Sequence, residues 1–329
     1  MIVLGIETSC DETSMALYDA NKQKVLASII SSQVDLHRNF GGVVPEIASR
    51  NHLIKLEDIY YQILKEANLT PKQIDLVGVT NAPGLIGSLF VGVAFAKGLA
   101  YGLKKPLIGV NHLAAHTLST EIEHPNLKPP YLSLIISGGH THIYYVDSAY
   151  NFTLLSHTID DAVGECFDKV AKKLGLPYPG GPEIEKIAQD GDEKAIEFPI
   201  ALKNSKNFSF SGIKTAVLNC IEENKYKVED LAASFQYTIF RNLIHKLNLV
   251  IKELNIKNVV VTGGVSANGY LREKLTDYYK KSGITIYFPS KRLSTDNGDM
   301  IAYTAYKFYT KRVFMGLRET AYDVKPDID

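Results

Sequence analysis

Cysteine is scarce in this chain of 329 residues. Cys10, Cys166 and Cys220 are scattered, and none stands in a Cys-x-x-Cys spacing. That excludes a disulfide framework and fits a reducing compartment. Net charge is also missing, because 36 basic residues balance 36 acidic ones. No strong global field for nucleic acid is expected, which leaves a local basic patch or a partner protein to supply one. There is no low-complexity segment and no long linker. The apolar start, Met1-Ile-Val-Leu-Gly-Ile6, is too short for a signal peptide and lacks a basic flank, so it reads as a first strand. One stretch, 85–103, is apolar over nearly the length of a bilayer span. Lys97 interrupts it, and Gly87, Gly92, Gly98 and Gly102 dilute it. It reads as a core helix of an α/β protein. The chain is 45% hydrophobic and 22% charged, as expected of a soluble globular enzyme long enough for two lobes.

Hydrophobic spacing orders the first third as three strands and a helix. Strands are predicted over 2–7, 14–18 and 24–30, and a helix over 45–67, with Leu53, Leu56, Ile59, Tyr60, Ile63 and Leu64 on one stripe. Glu46 falls in its first turn, where a negative charge suits the helix dipole. Strand 76–80, the apolar helix from Leu85 and strand 107–110 complete an α/β unit. Pro129-Pro130 then breaks the chain, and the order begins again. Strands over 131–136, 142–146 and 152–157 precede a helix over 163–174. Two lobes of matching topology imply a cleft between them, a common place for a ligand. The pattern over 196–224 is irregular. A helix over 231–254, a strand over 259–261, a helix to Lys281, a strand over 284–288 and a last helix over 298–312 follow.

His112 and His116, in Asn111-His-Leu-Ala-Ala-His116, are spaced to share one helix face. The spacing suits two ligands of one metal ion. It equally suits two helical histidines that bind nothing. A zinc protease requires a Glu directly after the first His, and Leu113 stands there. Asp296, in Ser294-Thr-Asp-Asn-Gly298, either caps the last helix or supplies a third ligand.

Four small-residue turns each follow a predicted strand or break: Thr8-Ser-Cys-Asp11, Ser137-Gly-Gly139, Pro179-Gly-Gly-Pro182 and Gly263-Gly264. Such turns let backbone N–H groups approach an anion, and together they point to a nucleotide site. Asn268 opens the helix after Gly263, as a cap or as a donor to a ligand hydroxyl. Asp11 and Glu12 are either surface acids of a turn or a general base and its neighbour. Asp168 and Lys169 are open in the same way. His140 reads as a cleft residue and His142 as a strand residue.

These motifs, with Gly5-Ile-Glu-Thr-Ser-Cys-Asp-Glu-Thr13, Phe40-Gly-Gly-Val-Val-Pro-Glu46, Gly84-Leu-Ile-Gly87 and Tyr178-Pro-Gly-Gly-Pro182, closely resemble the bacterial TsaD family. The resemblance runs in order from residue 5 to about residue 300. It implies a two-lobed α/β fold of the actin-like ATPase (ASKHA) type, a duplicated βββαβα core with a central cleft. The lobes expected are 1–118, with the helix 298–329 packing back on it, and 119–297. It implies one iron(II) ion, or zinc, on His112, His116 and Asp296. It implies an adenine nucleotide, threonylcarbamoyl-AMP or ATP, held by Ile135, Ile136, Ser137, Gly138, Gly139, Asp168, Gly181, Glu185 and Asn268. The activity implied is transfer of threonylcarbamoyl to the N6 amine of adenosine 37 in tRNA, with Asp11 or Glu12 taking the amine proton. The partners implied are tRNA, TsaB, TsaE and a TsaC-type synthase, in the cytoplasm and without a membrane. A metalloprotease is opposed by Leu113. A non-catalytic nucleotide switch gives the His112, His116 and Asp296 set no purpose.

Overall fold

Short runs rich in apolar and β-branched residues form three antiparallel strands at the start of the chain, β1 (Ile2–Glu7), β2 (Glu12–Asp19) and β3 (Lys24–Ser32), the first two buried along nearly their whole length. The structure, a computed structural model, describes residues 1–312 and Met315. The chain divides into two units, Met1–Leu127 with the chain from Thr295, and Lys128–Ser294. In the first unit, a short α1 (Val34–Arg38) and the long α2 (Pro45–Glu66) follow β3. Pro45 starts α2, where its fixed φ is pre-set for a helix and no N–H is needed. Next come β4 (Leu76–Ala82), α3 (Ile86–Leu103), β5 (Leu107–Asn111) and α4 (His112–Glu123). The sheet order is β3-β2-β1-β4-β5, with β1, β4 and β5 parallel.

Leu4, Ile6, Met15, Leu17, Val77 and Val79 pack against the apolar faces of α2 and α3. Each such side chain, fully buried, stabilises the fold by roughly 1.5–3 kcal/mol. Leu56, Ile59, Tyr60, Ile63 and Leu64 line the buried face of α2 as expected, but Leu53 is 69% exposed. It joins an outer apolar face with Ile86 and Phe90 instead. Among the described residues α3 is the one helix long and apolar enough to cross a membrane. It buries Leu89, Gly92, Val93, Ala96 and Ala100, and it packs on β4 and α2.

The second unit repeats the pattern. Strands β6 (Tyr131–Ile136), β7 (Thr141–Val146) and β8 (Phe152–His157) are antiparallel, and β9 (Asn258–Thr262) and β10 (Thr285–Tyr287) run parallel to β6. The order β10-β9-β6-β7-β8 is that of the first sheet with its second-half counterparts in place. Helices α5 (Val163–Lys173), α6 (Gly180–Ala188), α7 (Ser211–Glu223), α8 (Val228–Leu254), α9 (Gly269–Tyr279) and the short α10 (Lys291–Ser294) complete it. Phe167, Phe208, Phe210 and Phe235 fill its core.

The last helix, α11 (Gly298–Thr310), returns to the first unit and lies on β1, β2 and β4. Gly5 makes this possible: a Cβ there would stand 2.3 Å from both the Ala302 nitrogen and the Gly298 oxygen. Gly298 in turn approaches the Met15 and Ala16 backbone equally closely. The expected extension of this helix to residue 329 lies outside the described residues.

Two helices within or beside the irregular regions were not legible in the pattern. Phe210, which precedes α7, makes no side-chain cap. Asp160 supplies one from fifty residues upstream, accepting from the Phe210 N–H at 2.8 Å and from the Ser209 and Ser211 hydroxyls at 2.5 and 2.7 Å. Helix α6 opens on Gly180-Gly181-Pro182, which reads as a turn, and Asp168 accepts from the Gly180 N–H at 2.7 Å.

His142 sits on β7 opposite His157, buried as a strand residue, and burial followed by the His157 charge lowers its pKa from 6.5 to about 4. The unfolded chain therefore binds a proton here that the folded chain refuses between these values. Stability from this site is present above pH 6.5 and lost as pH falls toward 4, by about 3 kcal/mol at most. Thermal melts of wild type and His142→Gln across pH 7 to 4 should show the smaller loss of melting temperature in the variant.

Candidate functional site

The first unit gathers polar groups at one end of its parallel strands. Strand β5 runs directly into α4, and the Asn111 side chain caps that helix by accepting from the Leu113 and Ala114 N–H groups at 2.9 and 3.2 Å. This cap sets His112 in the first turn and His116 one turn later, with ring centroids 4.6 Å apart. Asp296 arrives just ahead of α11. Its Oδ1 lies 3.1 Å from His116 Nε2 and 3.4 Å from His112 Nε2. Ligand atoms of the three residues all lie within 4.8 Å of one another. Two imidazole nitrogens and one carboxylate oxygen at this spacing suit a divalent transition metal. His112, His116 and Asp296, expected as a set, are brought together.

Glu7, the last residue of β1, was missed. It is fully buried, and its Oε2 stands 3.2 Å from His112 Nδ1 and accepts from Thr80 Oγ1 at 2.5 Å. Its Oε1 accepts from the Ser9 N–H. A carboxylate behind the far nitrogen of a histidine leaves Nε2 free to face a metal. The available signal was an acid closing a strand of otherwise buried residues.

Burial alone would lower the His112 pKa, but Asp296 and then Glu7 raise it to about 9. His116 moves the other way, because burial and the charge on His112 outweigh its bond to Asp296. The proton affinity of the pair thus falls to His112, and a metal ion at this place would compete with that proton. Asp11 is buried and shares a hydrogen bond with Glu12. Burial, then Asp296 and Asp11, push the Glu12 carboxyl well above its usual range. The same acids follow burial in raising the Cys10 thiol. Leu113 is fully buried beside His112, so no carboxylate stands where a zinc protease needs its base.

The second unit holds the residues expected to bind a nucleotide. Ile135 and Ile136 are buried at the end of β6. Ser137, Gly138 and Gly139 form the following turn, tied by Ser137 N–H to His140 O at 2.9 Å and by His140 N–H to Ser137 Oγ at 3.1 Å. His140 is half-buried in this turn. Gly164, in the first turn of α5, abuts Ser137 O and Gly138 so closely that a Cβ would sit 2.6 Å from the former. Gly263, at φ 90°, stands against Ile136 O in the same way. The ends of β6 and β9 and the starts of α5 and α9 therefore meet, where open α/β sheets present N–H groups to anions.

Three acceptors link the helix starts. Asp168 holds Gly180, beside Gly181, and burial raises its pKa against the pull of that N–H. Glu185 accepts from the Gly269 N–H at 2.7 Å. Asn268 caps α9 through Leu271 N–H at 2.9 Å and donates to Gln236 Oε1 at 2.8 Å. The capping role foreseen for Asn268 is present, and its buried partner Gln236 was not foreseen.

Replacing Glu7 by Gln should lower affinity for a divalent metal by about 10–100-fold. Titration of the metal-free full chain with iron(II) or zinc checks this, and equal affinity in both proteins counts against the supporting role of Glu7.

The sequence profile of the TsaD family, tRNA N6-adenosine threonylcarbamoyltransferase, matches residues 24–303. The chain is 50% identical over 332 residues to the tRNA N6-adenosine threonylcarbamoyltransferase of Thermosipho melanesiensis, covering 100% of each chain. It is 47% identical over 334 residues to that of Clostridium beijerinckii, covering 99% of this chain and 97% of the other. Its fold is similar to that of HypF from T. kodakarensis, with a TM-score of 0.67 at 15% identity over 95% of this chain and 48% of the other. It is similar too to component A of the Acidaminococcus fermentans (R)-2-hydroxyglutaryl-CoA dehydratase, with a TM-score of 0.57 at 16% identity over 94% and 99%. The α/β fold with two five-stranded mixed sheets is that of the actin-like ATPases. On these matches the chain belongs to the TsaD family of tRNA-modifying transferases.

Proposed function

We propose that this chain transfers the threonylcarbamoyl group of threonylcarbamoyl-AMP to the N6 amine of adenosine 37 in tRNAs reading codons that begin with adenine. The observation that carries the reading is the convergence of His112, His116 and Asp296 beside the Asp11–Glu12 pair in a chain of this family. An iron(II) ion, or zinc in its place, held by His112, His116 and Asp296, would supply a Lewis acid for the threonylcarbamoyl carbonyl.

In this reading the adenosine amine forms a bond to the threonylcarbamoyl carbon. The bond from that carbon to the phosphate oxygen breaks, and AMP leaves with the electron pair. Asp11 or Glu12 accepts the amine proton. The hydrogen bond between them supports this assignment, since it fixes the two carboxyl groups against each other close to Asp296. Glu7 keeps His112 oriented. In the second unit, Gly138 and Gly139, in the turn after β6, and Gly181, in the first turn of α6, offer N–H groups to the adenylate phosphate, with Ser137 beside them, and Asp168, Glu185 and Asn268 frame that region. A TsaC-type synthase supplies the adenylate.

TsaB and TsaE complete the assembly in the cytoplasm, and they supply the positive field for tRNA that a chain of zero net charge lacks. Leu53, Ile54, Ile86 and Phe90 form an exposed apolar face on α2 and α3, with a groove of about 330 Å³ lined by Leu53, Ile86, Phe90 and Val91. A contiguous apolar face of this kind marks a protein interface, and we assign it to TsaB.

With TsaB, TsaE, threonylcarbamoyl-AMP and tRNA, wild type should form the modified adenosine. His112→Ala and Asp296→Ala should lose metal and reduce the rate by about 10²-fold or more. Product formation equal to wild type in both variants overturns the assignment. Phe90→Asp should abolish co-elution with TsaB at an unchanged melting temperature, and retained co-elution places the interface elsewhere.

A further inference from the structure

The turn that carries Asp11 and leads into Glu12 is tied locally by Ser9 N–H to Glu7 Oε1, and its successive carbonyls are tied from further away. Ser9 O accepts from the Leu85 N–H at 2.8 Å, and Asp11 O accepts from the Gln33 N–H at 3.0 Å. Between them, Cys10 O accepts from His52 Nε2–H at 2.9 Å, with the Ser88 hydroxyl more distant at 3.4 Å. His52 therefore makes the shorter bond to this carbonyl, across 42 positions of sequence.

His52 is fully buried on α2, in a small polar island set among apolar neighbours. Its Nδ1 lies 2.7 Å from Thr13 Oγ1, in the strand that leaves the turn, and 3.5 Å from Gln33 Nε2. The Gln33 amide donates as well to Ala48 O at 3.3 Å. This arrangement selects one tautomer. Nδ1 accepts from a hydroxyl and an amide, so the proton rests on Nε2 and points at Cys10 O. Burial lowers the His52 pKa, which keeps the ring in that neutral form. A ring with one fixed donor and one fixed acceptor, locked on both sides, sets a direction as well as a contact.

We infer that His52 is a positioning residue for transfer: through the Cys10 carbonyl it aims the Asp11 and Glu12 carboxylates. The inference rests on reading those two acids as the proton-accepting pair. Leucine at this position fills the space but leaves the carbonyl with the Ser88 hydroxyl alone. Glutamine places an amide N–H near the position of Nε2. Asparagine reaches only the position of Nδ1.

The test uses the full chain, metal-loaded and assembled with its partner proteins, with threonylcarbamoyl-AMP and tRNA as substrates. His52→Leu should lower kcat by about 10²-fold, as a misplaced group does, with KM for both substrates and bound metal close to wild type. His52→Gln should recover most of that loss, and His52→Asn should not. In an Asp11→Asn background, His52→Leu should cost little more, because both changes act on one step. Unaltered kcat in His52→Leu, equal recovery by Gln and Asn, or independent multiplication with Asp11→Asn would each overturn the inference. A silent Asp11→Asn with silent Glu12→Gln overturns the acid-pair reading itself. Comparison of Gln with Asn, at a temperature where circular dichroism shows both folded, separates aiming from stability.

Discussion

The first unit is built around the repulsion among four neighbouring carboxylates, two of them buried. Glu7, Asp11, Glu12 and Asp296 crowd one region with two imidazoles, where like charges in a poorly solvated space repel. The neighbouring acids answer in part by raising the affinity of Glu12 and His112 for protons. A divalent cation is the more complete answer, since it replaces repulsion with shared attraction.

The backbone arranges this cluster through close approach. Gly5 and Gly298 bring α11 onto the strands at a distance no side chain would allow. Asp296 is thereby delivered to His116, 180 positions earlier in sequence, and to His112 beside it. Helix α4 needs no such device, because Asn111 caps it locally at the end of β5. One half of the candidate centre is a local motif, and the other half is a product of tertiary packing. The glycine-turn region of the second unit has the same division. Its glycine turns are local, while the carboxylates of Asp168 and Glu185 reach across from neighbouring helices.

That division explains how much could be read from the sequence. Strands β1, β6 and β8 and the helix α2 follow from short apolar runs or stripe spacing, which are properties of nearby residues. The histidine pair was legible for the same reason. Helix α7 was not, since its cap is Asp160, fifty residues away, and α6 hides behind a Gly-Gly-Pro start capped by Asp168. Leu53 fits the buried stripe by spacing yet faces outward, because periodicity fixes an angle and not which neighbour arrives there. Glu7 and His52 look ordinary in sequence. Their partners, His112 and the Cys10 carbonyl, are 105 and 42 positions distant.

The return of α11 to the first sheet bears on how the chain is made. A ribosome emits Met1–Leu127 early, but the helix that covers β1, β2 and β4 emerges only after Lys128–Ser294 has been synthesised. The middle of the chain is thus free to complete its own sheet while the earlier part still exposes strand backbone. Asp296 is among the last described residues to leave the exit tunnel, so the cluster of His112, His116 and Asp296 is complete only once nearly all of the described chain has been made.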